Sequence, residues 1–287
     1  TRQRSHPTNR LLARQANHPS LPDMMRFYSL PPRAVEWPWL IVNPRTYKEL
    51  YKRKFRHALL DPGVELFKHN PKRTDYPKAF LESWCHKAKQ LCEIFKDRLW
   101  VTCPDYPDDY NPGQFGDNIT KTLSNIDYCL QRWPQVNWLP VIQARYLDLL
   151  SFHESCQRLH AMIGNFPRVA IGTVCKTQKL SFIVDCVKAA RQHFPESHIH
   201  AFGLTLTVLP CVSGTIQSWD SLACTMGGPR TKWRRVRELL DSFDSLAYTF
   251  PRKPGLPSSP STRFRIQYFH DYVSRITELT GKDPRDE

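Results

Sequence analysis

Several absences narrow the reading before any motif is considered. No apolar run approaches the roughly 20 residues that a membrane-spanning helix needs, and the Arg-rich N-terminus lacks the apolar core of a secretory signal. Both absences predict a soluble, cytoplasmic protein with no membrane partner. The nine cysteines form no C-x-x-C or C-x-C pair, so reduced, mostly buried thiols are expected, with no disulfide framework, metal site or other cofactor. No G-x-G-x-x-G follows the first apolar run, which removes the usual support for a dinucleotide-binding open sheet. Acidic residues are also in short supply: 27 Asp and Glu face 41 Lys and Arg, leaving a formal charge of +14. Such an excess favours a polyanionic partner, nucleic acid first.

Residues 1–35 carry Arg2, Arg4, Arg10, Arg14, Arg26 and Arg33 among Pro and polar residues with little periodicity. They predict a basic N-terminal arm, part of which orders on a partner. Residues 36–287 predict a single catalytic domain. Short apolar runs recur there: Trp39–Val42, His57–Leu60, Leu99–Cys103, Asn137–Ile142, Val169–Gly172, Ile199–Phe202 and Thr215–Trp219. Segments of helical period separate most of them, such as Phe80, Trp84, Ala88, Leu91 and Phe95, or Ile119 to Leu130 behind the caps Asp117 and Asn118. Helical patterns over Tyr146 to Leu159, Leu180 to His193 and Trp233 to Phe243 continue the alternation. It predicts an α/β fold, a (β/α)8 TIM-type barrel with Leu246–Phe250 as the eighth strand. After a Pro/Gly/Ser linker, the apolar positions from Phe264 to Ile276 predict an amphipathic helix packed back on the barrel.

In a TIM-type barrel the chemistry gathers at the C-terminal ends of the strands. The residues that end the runs are Asn43, Asp61, Asp105, Gln143, Gly172 with Thr173, Gly203 and Asp220. Asp61-Pro-Gly and Pro104-Asp-Tyr-Pro-Asp-Asp also read as turns, and Asp220 also reads as a cap or turn residue. Carboxylates on opposite sides of a pocket suit chemistry at a glycosidic carbon, one at the sugar and one at the leaving group. A further carboxylate and an amide suit recognition of a purine edge.

Taken in order, these segments resemble the tRNA-guanine transglycosylase superfamily, and within it the shorter 7-deazaguanine DNA transglycosylases. The resemblance rests on Leu60-Asp-Pro-Gly-Val-Glu-Leu-Phe67, Cys103-Pro-Asp-Tyr-Pro107, Pro140-Val-Ile-Gln143, Ala170-Ile-Gly-Thr173, His200-Ala-Phe-Gly-Leu204 and Ser218-Trp-Asp-Ser221. It implies Asp220 as the nucleophile at C1′ and Asp61 as the general acid/base. Asp105, Gln143, Gly172 and Thr173 would hold the base. It further implies DNA as the partner, with tRNA as the alternative, a 7-deazaguanine such as 7-cyano-7-deazaguanine as the incoming base, and a target base taken out of the stack, with or without a protein that opens the duplex. A basic nucleic-acid-binding barrel without catalysis stands as the outsider.

The sequence departs from that family in two places. The Cys-x-Cys-x-x-Cys zinc segment of the tRNA enzymes is missing, which favours the DNA-acting branch. Pro-Gly follows Asp61 where the family has Ser-Gly. Asp244, in Ser242-Phe-Asp-Ser-Leu-Ala-Tyr-Thr249, echoes the Asp220 segment and is a rival nucleophile. Just before it, Arg230, Lys232, Trp233, Arg234 and Arg235 combine charge with an aromatic face suited to phosphate contact and stacking.

Overall fold

The structure, a computed structural model, describes residues 25–63, 67, 70, 72–177, 179–221 and 262–286. Its strands are β1 (Arg26–Tyr28), β2 (Trp39–Val42), β3 (His57–Leu60), β4 (Leu99–Thr102), β5 (Trp138–Leu139), β6 (Val141–Ile142), β7 (Arg168–Ile171), β8 (His198–Ala201) and β9 (Ser218–Asp220). Helices α1 (Lys78–Phe95), α2 (Asn118–Arg132), α3 (Leu149–Ile163), α4 (Leu180–His193) and the short α5 (Leu209–Val212) fall between strands, and α6 (Thr262–Thr280) follows. Every strand pair is parallel. The strands are therefore apolar on their outward positions and covered by helices, as parallel sheets require.

Two sheets run in the orders β1-β9-β8-β7-β6 and β2-β3-β4-β5. At one junction Pro140, which has no N–H to give, separates β5 from β6. At the other, Ser29 beyond β1 bridges Leu40 of β2, donating to Trp39 O at 3.0 Å and accepting from Ile41 N at 3.2 Å. Helix starts follow from local chemistry. Asp117 accepts from Thr120 N at 3.0 Å to open α2, and Asp148 accepts from Ser151 N at 3.0 Å to open α3, each satisfying an orphan donor of the first turn. The latter cap places the start of α3 at Leu149, three residues after the Tyr146 predicted from periodicity.

The sequence reading needs correcting at the first and the last of these strands. Residues 25–35 are not part of an arm: Arg26, Phe27 and Tyr28 are a buried strand in register with Ser218, Trp219 and Asp220. Three residues are too few to display a period, and Arg26 disguises itself as a surface residue while its guanidinium lies 4.6 Å from the Trp39 ring centre. This strand pairs directly with β9; Leu246–Phe250, the expected eighth strand, lies outside the described residues. The strand expected at Thr215–Trp219 starts at Ser218 instead, so Asp220 closes it rather than following it. Residues 1–24 are likewise outside the described residues.

The C-terminal helix behaves as its apolar pattern predicts. Phe269, Tyr272, Val273 and Ile276 of α6 are buried, with Phe269 meeting Trp37 edge-on at 5.0 Å and Tyr272 lying 5.6 Å from Phe27. Just beyond α6, Pro284 O accepts from Trp39 Nε1 at 2.7 Å. Among the described residues no helix is long and apolar enough to cross a membrane.

Alternation along the strands sends every second side chain to the opposite face. On the face away from the helices, the N-terminal ends contribute a layer of cations and aromatics. Arg168 stands 5.1 Å from the Trp100 ring and donates from Nε to Trp138 O at 2.9 Å. His57 and His198 each meet Trp100 edge-on, at 4.4 and 4.8 Å. The C-terminal ends of the same strands carry the acids.

Candidate active site

Asp61 directly follows β3, its N–H bonded to Val42 O at 2.8 Å. Its Oδ1 accepts from Gly63 N at 3.2 Å, so the Asp-Pro-Gly turn chemistry is real, yet one carboxylate oxygen is left over for other work. Asp105 follows β4 in a loop pinned from several sides. Trp84 Nε1 donates to Thr102 O at 3.3 Å, Asn125 Nδ2 to Pro104 O at 2.9 Å, and Tyr76 OH to Asp105 O at 3.1 Å. Asn118 Nδ2 donates to both Tyr106 O and Ala144 O, at 3.1 and 3.0 Å, joining this loop to the one after β6.

Gln143, at the tip of β6, is buried and donates from Nε2 to Asp105 Oδ2. Its Oε1 is buried with no hydrogen-bond partner. Gly172, one of the residues expected to hold the base, also has a local reason to be glycine: a Cβ there would meet Val141 Cγ1 at 2.8 Å and Gln143 Cδ at 2.9 Å. Glycine at the end of β7 is what lets Gln143 lie across to Asp105. Thr173 is buried beside it and its Oγ1 has no partner.

Asp220 closes β9 and is buried. Its Oδ1 accepts from Gly203 N at 3.0 Å, and His200 Nε2 lies 3.4 Å from the same oxygen. Gly203 has φ +67°, and a Cβ there would meet Cys175 Cβ at 2.9 Å, so no larger residue presents its N–H in this way. Asp61, Asp105 and Asp220 are near enough to feel one another. Burial first, and then the negative charges of Asp105 and Asp220, push the Asp61 carboxyl up to about 7, against the opposing Gly63 hydrogen bond. Burial likewise pushes Asp105 up to about 7, opposed by the Gln143 hydrogen bond and aided by Asp109. Near neutral pH these acids share fewer negative charges than their number suggests.

Sequence reasoning passed over four neighbours. Asp109 looked like turn material, but it is buried, accepts from Lys176 N at 2.9 Å, and leaves Oδ1 without a partner. Burial raises it to about 6. Tyr110 OH lies 3.7 Å from Cys175 Sγ, and burial followed by Asp109 and Asp220 raises that thiol to about 12, which keeps it protonated. His200 lay hidden inside a strand. The signal that could have found it is His-x-His on β8 beside Ser-x-Asp on β9, two pairs that alternation puts on one face. Asn43, in contrast, is occupied locally: its Oδ1 accepts from Arg45 N, Thr46 N and Thr46 Oγ1 at 3.0–3.1 Å.

Asp61, Asp105, Gln143, Gly172 and Asp220 are thus brought to one end of the parallel strands, with Thr173 next to Gly172. Arg230, Lys232, Trp233, Arg234, Arg235 and the rival Asp244 lie outside the described residues. Among the described residues no group of three or more His, Cys, Asp or Glu side chains has an arrangement that could hold a metal ion.

No protein-family model and no curated protein matches the sequence. Among solved structures, the chain is similar to a fructose-bisphosphate aldolase from Campylobacter jejuni, at 8% identity and a TM-score of 0.46, covering 97% of this chain and 94% of that one. It is also similar to 2,3-dimethylmalate lyase, a PEP mutase/isocitrate lyase superfamily member, at 9% identity and a TM-score of 0.36, covering 96% of this chain and 99% of that one.

Proposed function

We propose that the strands close into an eight-membered (β/α)8 ring, counting β5 and β6 as one, and that the chain is an enzyme exchanging guanine in DNA for a 7-deazaguanine. The observation that carries this reading is the Asp105–Gln143 pair set beside Asp61, whose carboxyl is coupled to that of Asp220. One pair of groups suits a purine edge and the other suits substitution at the glycosidic carbon.

Asp220 attacks C1′ as the C1′–N9 bond breaks, giving a covalent enzyme–DNA ester. Asp61, holding a proton for part of the time near neutrality, supplies it to the departing guanine. The same carboxylate takes the N9 proton from the incoming 7-deazaguanine, whose nitrogen then displaces Asp220 and restores the nucleoside. Asp105 and the unpartnered Gln143 Oε1 offer acceptors for the N1–H and exocyclic amine of the base. The +14 charge supplies attraction for the phosphate backbone, with Arg230 to Arg235 as the expected contact. No cofactor enters these steps.

Isotopically labelled guanine, offered with duplex DNA or with tRNA, tests the reading. Incorporation into DNA alone is the expected result; incorporation into tRNA alone moves the same chemistry to the other substrate. Binding without incorporation into either, together with unchanged binding by Asp220→Ala, points to a barrel that only binds.

A further inference from the structure

Below Asp220 runs a line of buried polar groups that the proposed chemistry does not use. Alternation puts His198 and His200 on one face of β8 and Ser218 and Asp220 on the same face of β9, with His200 in register with Ser218. The result is a ladder between two strands. His198 Nε2 lies 2.7 Å from Ser218 Oγ, Ser218 Oγ lies 2.9 Å from His200 Nδ1, and His200 Nε2 lies 3.4 Å from Asp220 Oδ1. His200 and Ser218 have no exposed surface.

The order of donors follows from the ends inward. His200 Nε2 is buried with no hydrogen-bond partner, and Asp220 Oδ1 is already an acceptor from Gly203 N–H. A bare nitrogen lone pair facing that oxygen would be repelled, whereas an N–H there is attracted, so the proton belongs on Nε2. Nδ1 is then an acceptor, which Ser218 O–H satisfies, and the serine oxygen in turn accepts from His198 Nε2–H. Burial, then the positive charge of Arg26, hold His198 well below the usual histidine range, so it enters the ladder uncharged. The other titratable groups facing this line are Tyr28, whose ring meets His200 edge-on at 5.6 Å, and Asp61 and Cys175, both within the field of Asp220.

We infer that His200 is a positioning residue for Asp220, its Nε2–H tautomer set by the Ser218–His198 relay, so that Oδ1 is held by the Gly203 N–H hydrogen bond and by the electrostatic attraction of the His200 N–H, and Oδ2 is the oxygen presented to substrate. Reversing the ladder would put the proton on His200 Nδ1 and turn a lone pair toward the carboxylate, which then has to be protonated and cannot attack. The tautomer of one buried ring therefore decides whether the group is a nucleophile. The catalytic part of this inference rests on the transglycosylase reading; the tautomer does not.

The two parts separate in one experiment. Long-range proton–nitrogen correlation spectra of 15N-histidine-labelled protein, assigned with the His200 variants, are expected to show His198 and His200 as Nε2–H tautomers. Ser218→Ala, which removes one oxygen and no packing volume of consequence, is expected to shift or mix the His200 tautomer. The same change is expected to slow formation of the covalent DNA adduct about tenfold, the worth of one buried hydrogen bond, with the DNA concentration at half-maximal rate unchanged. His200→Gln keeps an amide N–H at the position of Nε2 and is expected to react faster than His200→Leu. An Nδ1–H tautomer at His200, or a His200 spectrum indifferent to Ser218→Ala, overturns the inference whether or not the protein reacts with DNA. Equal adduct rates for His200→Leu and the parent overturn the positioning role. If the parent itself forms no adduct and exchanges no label on DNA or tRNA, the transglycosylase reading fails, and the spectra still decide the tautomer.

Discussion

The two ends of the parallel strands bury charge of opposite sign and deal with it differently. At the N-terminal ends, Arg26 and Arg168 are each laid on an indole, and Arg168 also has a carbonyl acceptor. Burial still lowers Arg168 to about 10, but the ion has partners fitted to its shape. At the C-terminal ends, Asp61, Asp105 and Asp109 are raised by burial and by neighbouring carboxylates, and Gln143 Oε1 and Asp109 Oδ1 have no hydrogen-bond partner. The N-terminal end thus compensates its buried cations, whereas the C-terminal end keeps buried acceptors that the proposed reading assigns to the base.

The sharpest way to break the comparison is Asp220→Asn. Adduct formation and label exchange are expected to fall by about 10³-fold or more, while the thermal midpoint moves little, because Asn still accepts from Gly203 N–H. Arg168→Leu probes the opposite end: it strands Trp138 O and empties the face of Trp100. A loss of about 2–3 kcal/mol is expected in denaturant unfolding, with the pH profile of exchange preserved. A shifted pH profile would show that the two ends are not separate.

Gly172→Ala comes next. Its methyl group collides with Val141 and Gln143, so a destabilisation of about 1–3 kcal/mol is expected, accompanied by weaker binding of free guanine in calorimetry. The raised carboxyls then give a signed dependence on pH. Between about pH 4 and pH 7 the unfolded chain has released protons that folded Asp61 and Asp105 still hold, so stability is greatest below that window and falls as pH rises through it. Each keeps some exposure at the mouth, which softens the effect. Asp105→Asn is expected to gain about 1–2 kcal/mol over the parent at pH 8 and nothing at pH 4, as read from paired denaturation curves. The smallest effect is expected on the outside: Leu150 is 82% exposed, and Leu150→Ser should alter stability by less than about 0.5 kcal/mol and exchange not at all.

Much of the strand–helix rhythm was legible because β3, β4 and β7 are runs of apolar residues with turn chemistry behind them, and because Asp117 is a helix cap in plain view. What period could not reveal was β1. A three-residue strand with an arginine at its head has no pattern to detect, and its place is set by partners distant in sequence, Ser218–Asp220 above all. The strand-end rule did locate Asp61, Asp105, Gln143 and Asp220, since one residue past an apolar run is where a βα loop begins. It did not foresee that the missing side chain of Gly172 makes room for Gln143. It missed Asp109, Cys175 and His200, because their roles come from contacts between loops and between neighbouring strands, which no single stretch of sequence contains.

The pairing of β1 with β9 also has a bearing on how the molecule is made. During synthesis Arg26–Tyr28 emerge early, and the backbone groups they bond to in Ser218–Asp220 do not exist until most of the chain has followed. Contacts of such long separation form late and leave an open edge meanwhile. Since Tyr28 stands in register with Asp220, the proposed nucleophile is among the last of the strand residues to be set in place, and its setting depends on β1 having waited for it.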